Sequence, residues 1–234
     1  MDISERLDAI DWGAVMSALD ARGHAVLGPM LTSEECAELI EVFDQDRFRK
    51  HIVMEKHSYG LGDYKYFRYP LLPLVQGLRE ATYPRLFGVA NRWARKLGRD
   101  VEYPPTLEEF LAECHREGQH RPTPLILRYE EGGYNRLHQD LYGAIHFPLQ
   151  LAILLSTPGK DFTGGEVILT EQRARVQVRP HVVRLGHGEA VVFAVNERPT
   201  EGKRGPVRVT MRHGVSELES GKRYTLGVIF HDAE

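Results

Sequence analysis

The strongest constraint on this chain is a change of pattern at Pro124. From there to the C-terminus, short apolar runs alternate with glycine-bearing turns. Leu125 to Glu130, Leu149 to Ser156, Glu166 to Thr170, Ala190 to Val195, Val207 to Met211 and Arg223 to Phe230 all read as strands. Many short strands at near-regular spacing indicate a sandwich or a barrel.

Before Pro124 the pattern is mostly helical. Leu7, Ile10, Val15, Ala18 and Leu19 predict an amphipathic helix over Ser4 to Ala21, followed by a short strand from His24 to Leu27. Thr32-Ser33-Glu34-Glu35 is a capping box that opens a second helix. Pro73 to Leu97 reads as helix with an interruption near Pro84, and Thr106-x-x-Glu109 opens another. The expected class is α+β, with residues 1–122 as a helical support and 123–234 as the strand core of one compact unit. A chain of 234 residues, 42% apolar and 27% charged, can bury such a core.

Arg47 to Tyr69 stands apart. It interleaves Arg47, Arg49, Lys50, Lys56, Lys65 and Arg68 with Phe48, Tyr59, Tyr64, Tyr66, Phe67 and Tyr69. Gly60-Leu61-Gly62-Asp63 predicts a turn between two strands, hence a β-hairpin over 47–69. In one reading it is a substrate lid, with basic groups on phosphates and rings on bases. In that case Tyr64, Lys65, Tyr66 and Arg68 would meet substrate. In the other reading, which is the commoner use of aromatics in strands, one ring face packs on the core.

No apolar run approaches membrane-spanning length, and the start Met1-Asp2-Ile3 is unlike a signal peptide. Cys36 and Cys114 are the only cysteines, which fits two small buried hydrophobes in a reducing cytoplasm better than a disulfide framework. A formal net charge of −3 argues against a strongly basic, nonspecific DNA binder while allowing a local basic groove.

The chemistry concentrates in Leu137-His138-Gln139-Asp140. On a strand, His138 and Asp140 share a face, and a second histidine from another strand would complete two imidazoles and a carboxylate. That donor set is the facial triad of non-haem Fe(II) oxygenases. His146, His181, His187, His213 and His231 compete for the third position, and only His213 has an arginine ten residues on, Arg223. A guanidinium there can grip a carboxylate by two hydrogen bonds, which makes 2-oxoglutarate the natural cosubstrate. Thr225 shares a strand face with Arg223 and could add a hydroxyl. Tyr134, Asn135 and Arg212 are candidates for the pocket rim, whereas His115 and His120 are spaced five apart and read as structural or solvent-exposed.

These residues, with Leu127-Arg128-Tyr129, Gly132-Gly133-Tyr134 and Gly164-Gly165-Glu166, resemble the Fe(II)/2-oxoglutarate-dependent oxygenase superfamily, in particular its prolyl-hydroxylase-like branch. Tyr64-Lys65-Tyr66-Phe67, Pro122-Thr123-Pro124, His138 to Tyr142, Phe147-Pro148-Leu149-Gln150 and Thr170-Glu171-Gln172-Arg173 carry a closer resemblance. It is to an uncharacterised prokaryotic family labelled for oxidative demethylation of damaged DNA. The resemblance implies a double-stranded β-helix, or jelly roll, braced by N-terminal helices. It also implies Fe(II), 2-oxoglutarate and O₂, oxidative decarboxylation to succinate and CO₂ coupled to C–H hydroxylation, and a role for Tyr129 at the cosubstrate carboxylate.

For the substrate, the family label implies a single-stranded or damaged nucleic acid, and the His-Gln-Asp triplet matches AlkB-type demethylases. Their Arg-x-Asn-x-Thr-x-Arg signature falls here on Arg223, Thr225, Gly227 and Ile229, so only its first arginine is present. The alternatives are a prolyl or other protein residue or a small molecule, a cupin-type metal enzyme that leaves Arg223 idle, and a non-catalytic sensor of iron or 2-oxoglutarate.

Overall fold

A computed structural model describes residues 3–203 and 205–234; Met1 and Asp2 of the acidic start lie outside these. The first predicted helix is two, α1 (Ile3–Asp8) and α2 (Trp12–Arg22). The break falls at Asp11, whose carboxylate accepts the Ala14 N–H and caps α2. After β1 (His24–Pro29) comes α3 (Ser33–Val42), opened by the complete capping box. Thr32 accepts the Glu35 N–H, and the Glu35 carboxylate accepts the Thr32 N–H.

Next come β2 (Phe48–Val53), a 3₁₀ turn at Met54–His57, β3 (Gly60–Leu61) and β4 (Asp63–Phe67). Two helices follow, α4 (Pro73–Lys96) and α5 (Leu107–Arg116). The interruption expected at Pro84 does not occur. Proline there removes one helical hydrogen bond, at a cost of about 3 kcal/mol. Leu78, Tyr83, Leu86, Val89, Ala90 and Trp93 are all buried along the same helix and outweigh that loss.

The rest is strand: β5 (Leu125–Glu130), β6 (Tyr134–His138), β7 (Leu149–Leu154), β8 (Phe162–Gly164), β9 (Val167–Gln172), β10 (Arg179–Val183), β11 (Glu189–Ala194), β12 (Glu197–Gly202), β13 (Gly205–Val215) and β14 (Leu218–Val228). The major sheet runs β1-β11-β7-β14-β5-β4-β2 with β8 on β14, and the minor sheet runs β10-β9-β13-β6-β3 with β12 on β13. This is the expected jelly roll within an α+β chain.

Alternation along the strands splits the interior in two. Leu149, Leu151, Ile153, Val192, Ala194, Leu226 and Val228 face the helices and pack with Leu78, Tyr83, Trp93 and Phe110. Leu154, Val191, Phe193, Leu169, Val167 and Tyr129 fill the space between the sheets, where the site lies. Cys36 and Cys114 are buried free thiols. No helix among the described residues is long and apolar enough to cross a membrane.

The predicted hairpin over 47–69 forms, but it is built into the sheet rather than standing apart. β2 and β4 do pair, but β4 continues onto β5, so both are strands of the major sheet. The predicted turn at 60–63 contains β3, which pairs Gly60 with Asn135 and Leu61 with Tyr134. The Gly60 and Gly62 backbones, at φ of 151° and 139°, permit this path.

At the chain's end, Arg79 of α4 is wholly buried. It donates to the carbonyls of Ile229 and Phe230 at 2.9 and 2.8 Å and to the buried Asp232 carboxylate at 2.8 Å. Removing one partner strands the other charge, so Arg79→Ala is expected to cost about 3–5 kcal/mol in urea unfolding. An unchanged midpoint would contradict this role.

Candidate active site

His213 of β13 sits directly opposite His138 at the end of β6. Asp140 lies two residues beyond the strand end rather than on it, and its carboxylate turns back toward both rings. Its Oδ1 is 3.5 Å from His138 Nε2 and its Oδ2 is 3.1 Å from His213 Nε2, with the rings 4.2 Å apart. The three donor atoms lie within 4.8 Å of one another, an arrangement that could hold one metal ion. His138 Nδ1 is 2.7 Å from the Arg136 carbonyl; donating its proton there leaves Nε2 free as a ligand.

Electrostatics support the same reading. Burial alone would raise the Asp140 pKa, but the His213 charge and the imidazole hydrogen bonds outweigh it and hold the carboxyl well below its usual range. Burial acts to lower His138, yet Asp140 brings it above the ordinary value; burial and the neighbouring His138 lower His213. An ionised carboxylate between two imidazoles, two residues on one segment and one from the facing strand, suits a divalent transition metal such as iron.

Two further side chains hold the carboxylate. The Tyr142 hydroxyl donates to Asp140 Oδ1 at 2.5 Å and the Gln150 amide donates to Oδ2 at 2.9 Å. Gln139 points the other way and anchors the segment, donating to Asn196 Oδ1 at 2.9 Å and the Met211 carbonyl at 2.8 Å. Tyr142 and Gln150 fall in stretches that carry the family resemblance, but the sequence reading gives neither a role in the site. The available signal was Gln150 itself, an amide in the buried run Leu149-Gln150-Leu151.

The triad opens into a cavity of about 410 Å³ that also contains Tyr129, Arg223 and Thr225. Arg223 is 2% exposed; it donates to Thr225 Oγ1 at 2.7 Å, while its Nε is buried without a partner. No carboxylate among the described residues pairs with it. Burial draws its pKa down to about 10, so it stays charged at neutral pH. The Tyr129 ring lies 5.8 Å from the guanidinium. Its buried hydroxyl, pushed up to about 12 by desolvation, has Asn135 beside it but no full hydrogen bond. A buried cation without an anionic partner, beside a buried hydroxyl without a full hydrogen bond, fits the distal carboxylate of a 2-oxo diacid.

Of the remaining predicted residues, Tyr64 and Asn135 line the cavity, and Tyr66 packs edge-on against Tyr64 and Tyr142. Lys65 and Arg68 do not reach it. Alternation turns Lys65 to the opposite face, where it donates to the Phe43 carbonyl and sits 4.2 Å over the Phe43 ring. Arg68 pairs with Asp46. Tyr134 and Arg212 also lie outside the cavity lining. Among the rival histidines, His231 is buried with Nδ1 near the Phe147 N–H and its pKa pushed down to about 3, and His181 lies beside Glu171. His146 packs near His231, and His187 is absent from the cavity.

A family model described as "Oxygenase, catalysing oxidative methylation of damaged DNA" matches residues 62–233. The chain belongs to this oxygenase family. An uncharacterized protein of Mycobacterium tuberculosis is 46% identical over 167 residues, 71% of this chain and 72% of that protein. Among solved structures, a 2OG-Fe(II) oxygenase family oxidoreductase from Burkholderia pseudomallei superposes with a TM-score of 0.56. It is 15% identical, over 96% of this chain and 94% of that one. A Pseudomonas putida prolyl-4-hydroxylase gives 0.52 at 14% identity, over 95% and 99%. The fold of this oxygenase is therefore that of the 2-oxoglutarate/Fe(II) enzymes.

Tyr142→Phe and Gln150→Ala are each expected to weaken metal binding by about 10–100-fold. Calorimetric titration with Mn(II) checks this, and wild-type affinity in both variants would contradict the clamp. Binding should also weaken as pH falls through the raised His138 range, because a protonated imidazole cannot ligate.

Proposed function

We propose that this oxygenase holds Fe(II) through His138, Asp140 and His213, takes 2-oxoglutarate on Arg223, and hydroxylates a C–H bond of an N-alkylated base in nucleic acid. The observation that carries the cosubstrate assignment is the buried Arg223 guanidinium, which has no acidic partner and opens on the same cavity as the triad. Iron bound there would supply the O₂-dependent oxidation, in which 2-oxoglutarate becomes succinate and CO₂ and the substrate C–H becomes C–OH.

The chain's own part is binding and orientation. Arg223, with Thr225 fixing one guanidinium nitrogen, holds the distal carboxylate by charge and direction, and the Tyr129 hydroxyl donates to it. Ala152, Val167, Phe193 and Gly227 make part of the cavity lining apolar, and the Phe162 ring lies 5.8 Å from the guanidinium, which excludes water and strengthens the ion pair. Tyr142 and Gln150 keep Asp140 ionised and in one orientation. At the open end, Tyr59 and Tyr64 offer ring faces, and Asn135 offers an amide to a base edge. An N–CH₂OH product releases formaldehyde and restores the N–H.

The base is supported by the family's description and by these rings. A protein residue is the second reading, favoured by the ten-residue step from His213 to Arg223 and by Gly227 and Ile229 in place of the demethylase signature.

The test is succinate formation by the iron-loaded enzyme with methylated or unmethylated single-stranded DNA. Stimulation by the methylated strand alone is expected; slow turnover indifferent to both strands would remove the nucleobase and leave the protein reading. His138→Ala and Asp140→Ala should abolish succinate formation, as should Arg223→Ala at ordinary 2-oxoglutarate concentrations. Full activity in Arg223→Ala would remove the cosubstrate assignment.

A further inference from the structure

The outward face of the minor sheet carries arginines that the site does not use. In β13, Val209, Met211 and His213 turn inward, so Arg208 and Arg212 point to solvent, about 14 Å apart along the strand. Arg136 of β6 abuts Gly214 on the same sheet and reaches the cavity mouth. The β9–β10 connection adds the exposed Arg175, whereas Arg173 and Arg179, the latter the first residue of β10, lie 4.0 and 3.8 Å from Glu171.

Acids do not balance this face. Glu171 is buried against Arg198 at 2.7 Å and is shared with Arg173 and Arg179, Glu201 is held by Lys96, and Glu197 pairs with Arg99. Arg208 keeps only a loose contact with Glu197 at 3.6 Å and is 62% exposed. This leaves Arg136, Arg175 and Arg212 without an acid among the described residues. In a chain of net charge −3, this is a local concentration, the arrangement that meets a polyanion.

The cavity mouth says which polyanion. Tyr59 is 48% exposed there, and its ring stacks on His57 at 5.3 Å and 20°, a flat surface for an unstacked base. A base inside the cavity must already be out of a duplex stack. From these features, and resting on the nucleobase reading above, we infer that a single nucleic-acid strand crosses the outward face of the minor sheet. Its phosphates lie on Arg208 and Arg212, and the strand reaches the mouth at Arg136 and Tyr59.

Fluorescence anisotropy with a labelled single-stranded oligonucleotide, methylated or not, tests this on the full chain. Replacing both residues, Arg208→Gln with Arg212→Gln, should weaken binding about tenfold at low salt. The slope of log affinity against log salt should fall by about 1.4, at about 0.7 per lost phosphate contact. The double lysine variant should recover most of the affinity and slope, which separates lost charge from misfolding; Arg116→Gln, on α5, should bind as wild type. Wild-type affinity and slope in the double glutamine variant would overturn the surface while leaving the substrate reading intact. Binding that depends on the two arginines, without stimulated succinate formation, would keep the surface and overturn the substrate reading. No oligonucleotide binding by the wild type would overturn both.

Discussion

His213 faces His138 across the minor sheet, and the pairing register between those strands decides where two of the three candidate metal donors point. A slip of one residue would send His213 outward and bring Arg212 in. Two local features hold the register. Gly214 lets β6 come close, since a Cβ there would lie 2.6 Å from the Asn135 carbonyl oxygen. Gln139 ties the segment after His138 to the Met211 carbonyl, so Asp140 begins its turn toward the rings from a fixed point. Tyr142 and Gln150 then set the carboxylate itself.

Among the described residues three arginines are almost wholly buried, and comparing them separates structure from function. Arg79 has Asp232 and two carbonyls; Arg198 has Glu171. Both charges are compensated inside the chain, as burial requires. Arg223 has a threonine hydroxyl and nothing anionic. A cation left uncompensated beside a cavity costs stability unless an anion occupies the cavity, and in the proposed function the 2-oxoglutarate carboxylate is that anion. The buried Tyr129 hydroxyl, without a full hydrogen bond, fits the same account.

Much of this is legible in the sequence. His138, Asp140, His213 and Arg223 could be named because the chemistry demands particular side chains at particular strand offsets. The Thr32 capping box was legible because its bonds are local. Longer-range features were not. Glu197–Gly202 is polar and contains a proline, yet pairs as β12 along β13, because that pairing depends on a neighbour rather than on its own pattern. Pro84 fits inside α4 for a similar reason. Lys65 resembled a phosphate ligand by composition, but strand alternation placed it over Phe43. Tyr142 and Gln150 act through Asp140, and no motif spacing reports a contact of that kind.

The central claim is that Arg223 is reserved for the distal carboxylate of 2-oxoglutarate. The most direct measurement is calorimetric titration of the Mn(II)-loaded protein with 2-oxoglutarate and, separately, with 2-oxobutyrate, which keeps the keto acid but lacks the second carboxylate. The account predicts that 2-oxoglutarate binds more tightly by at least about tenfold, the minimum for a buried charge-assisted contact. Equal affinities for the two acids would contradict it.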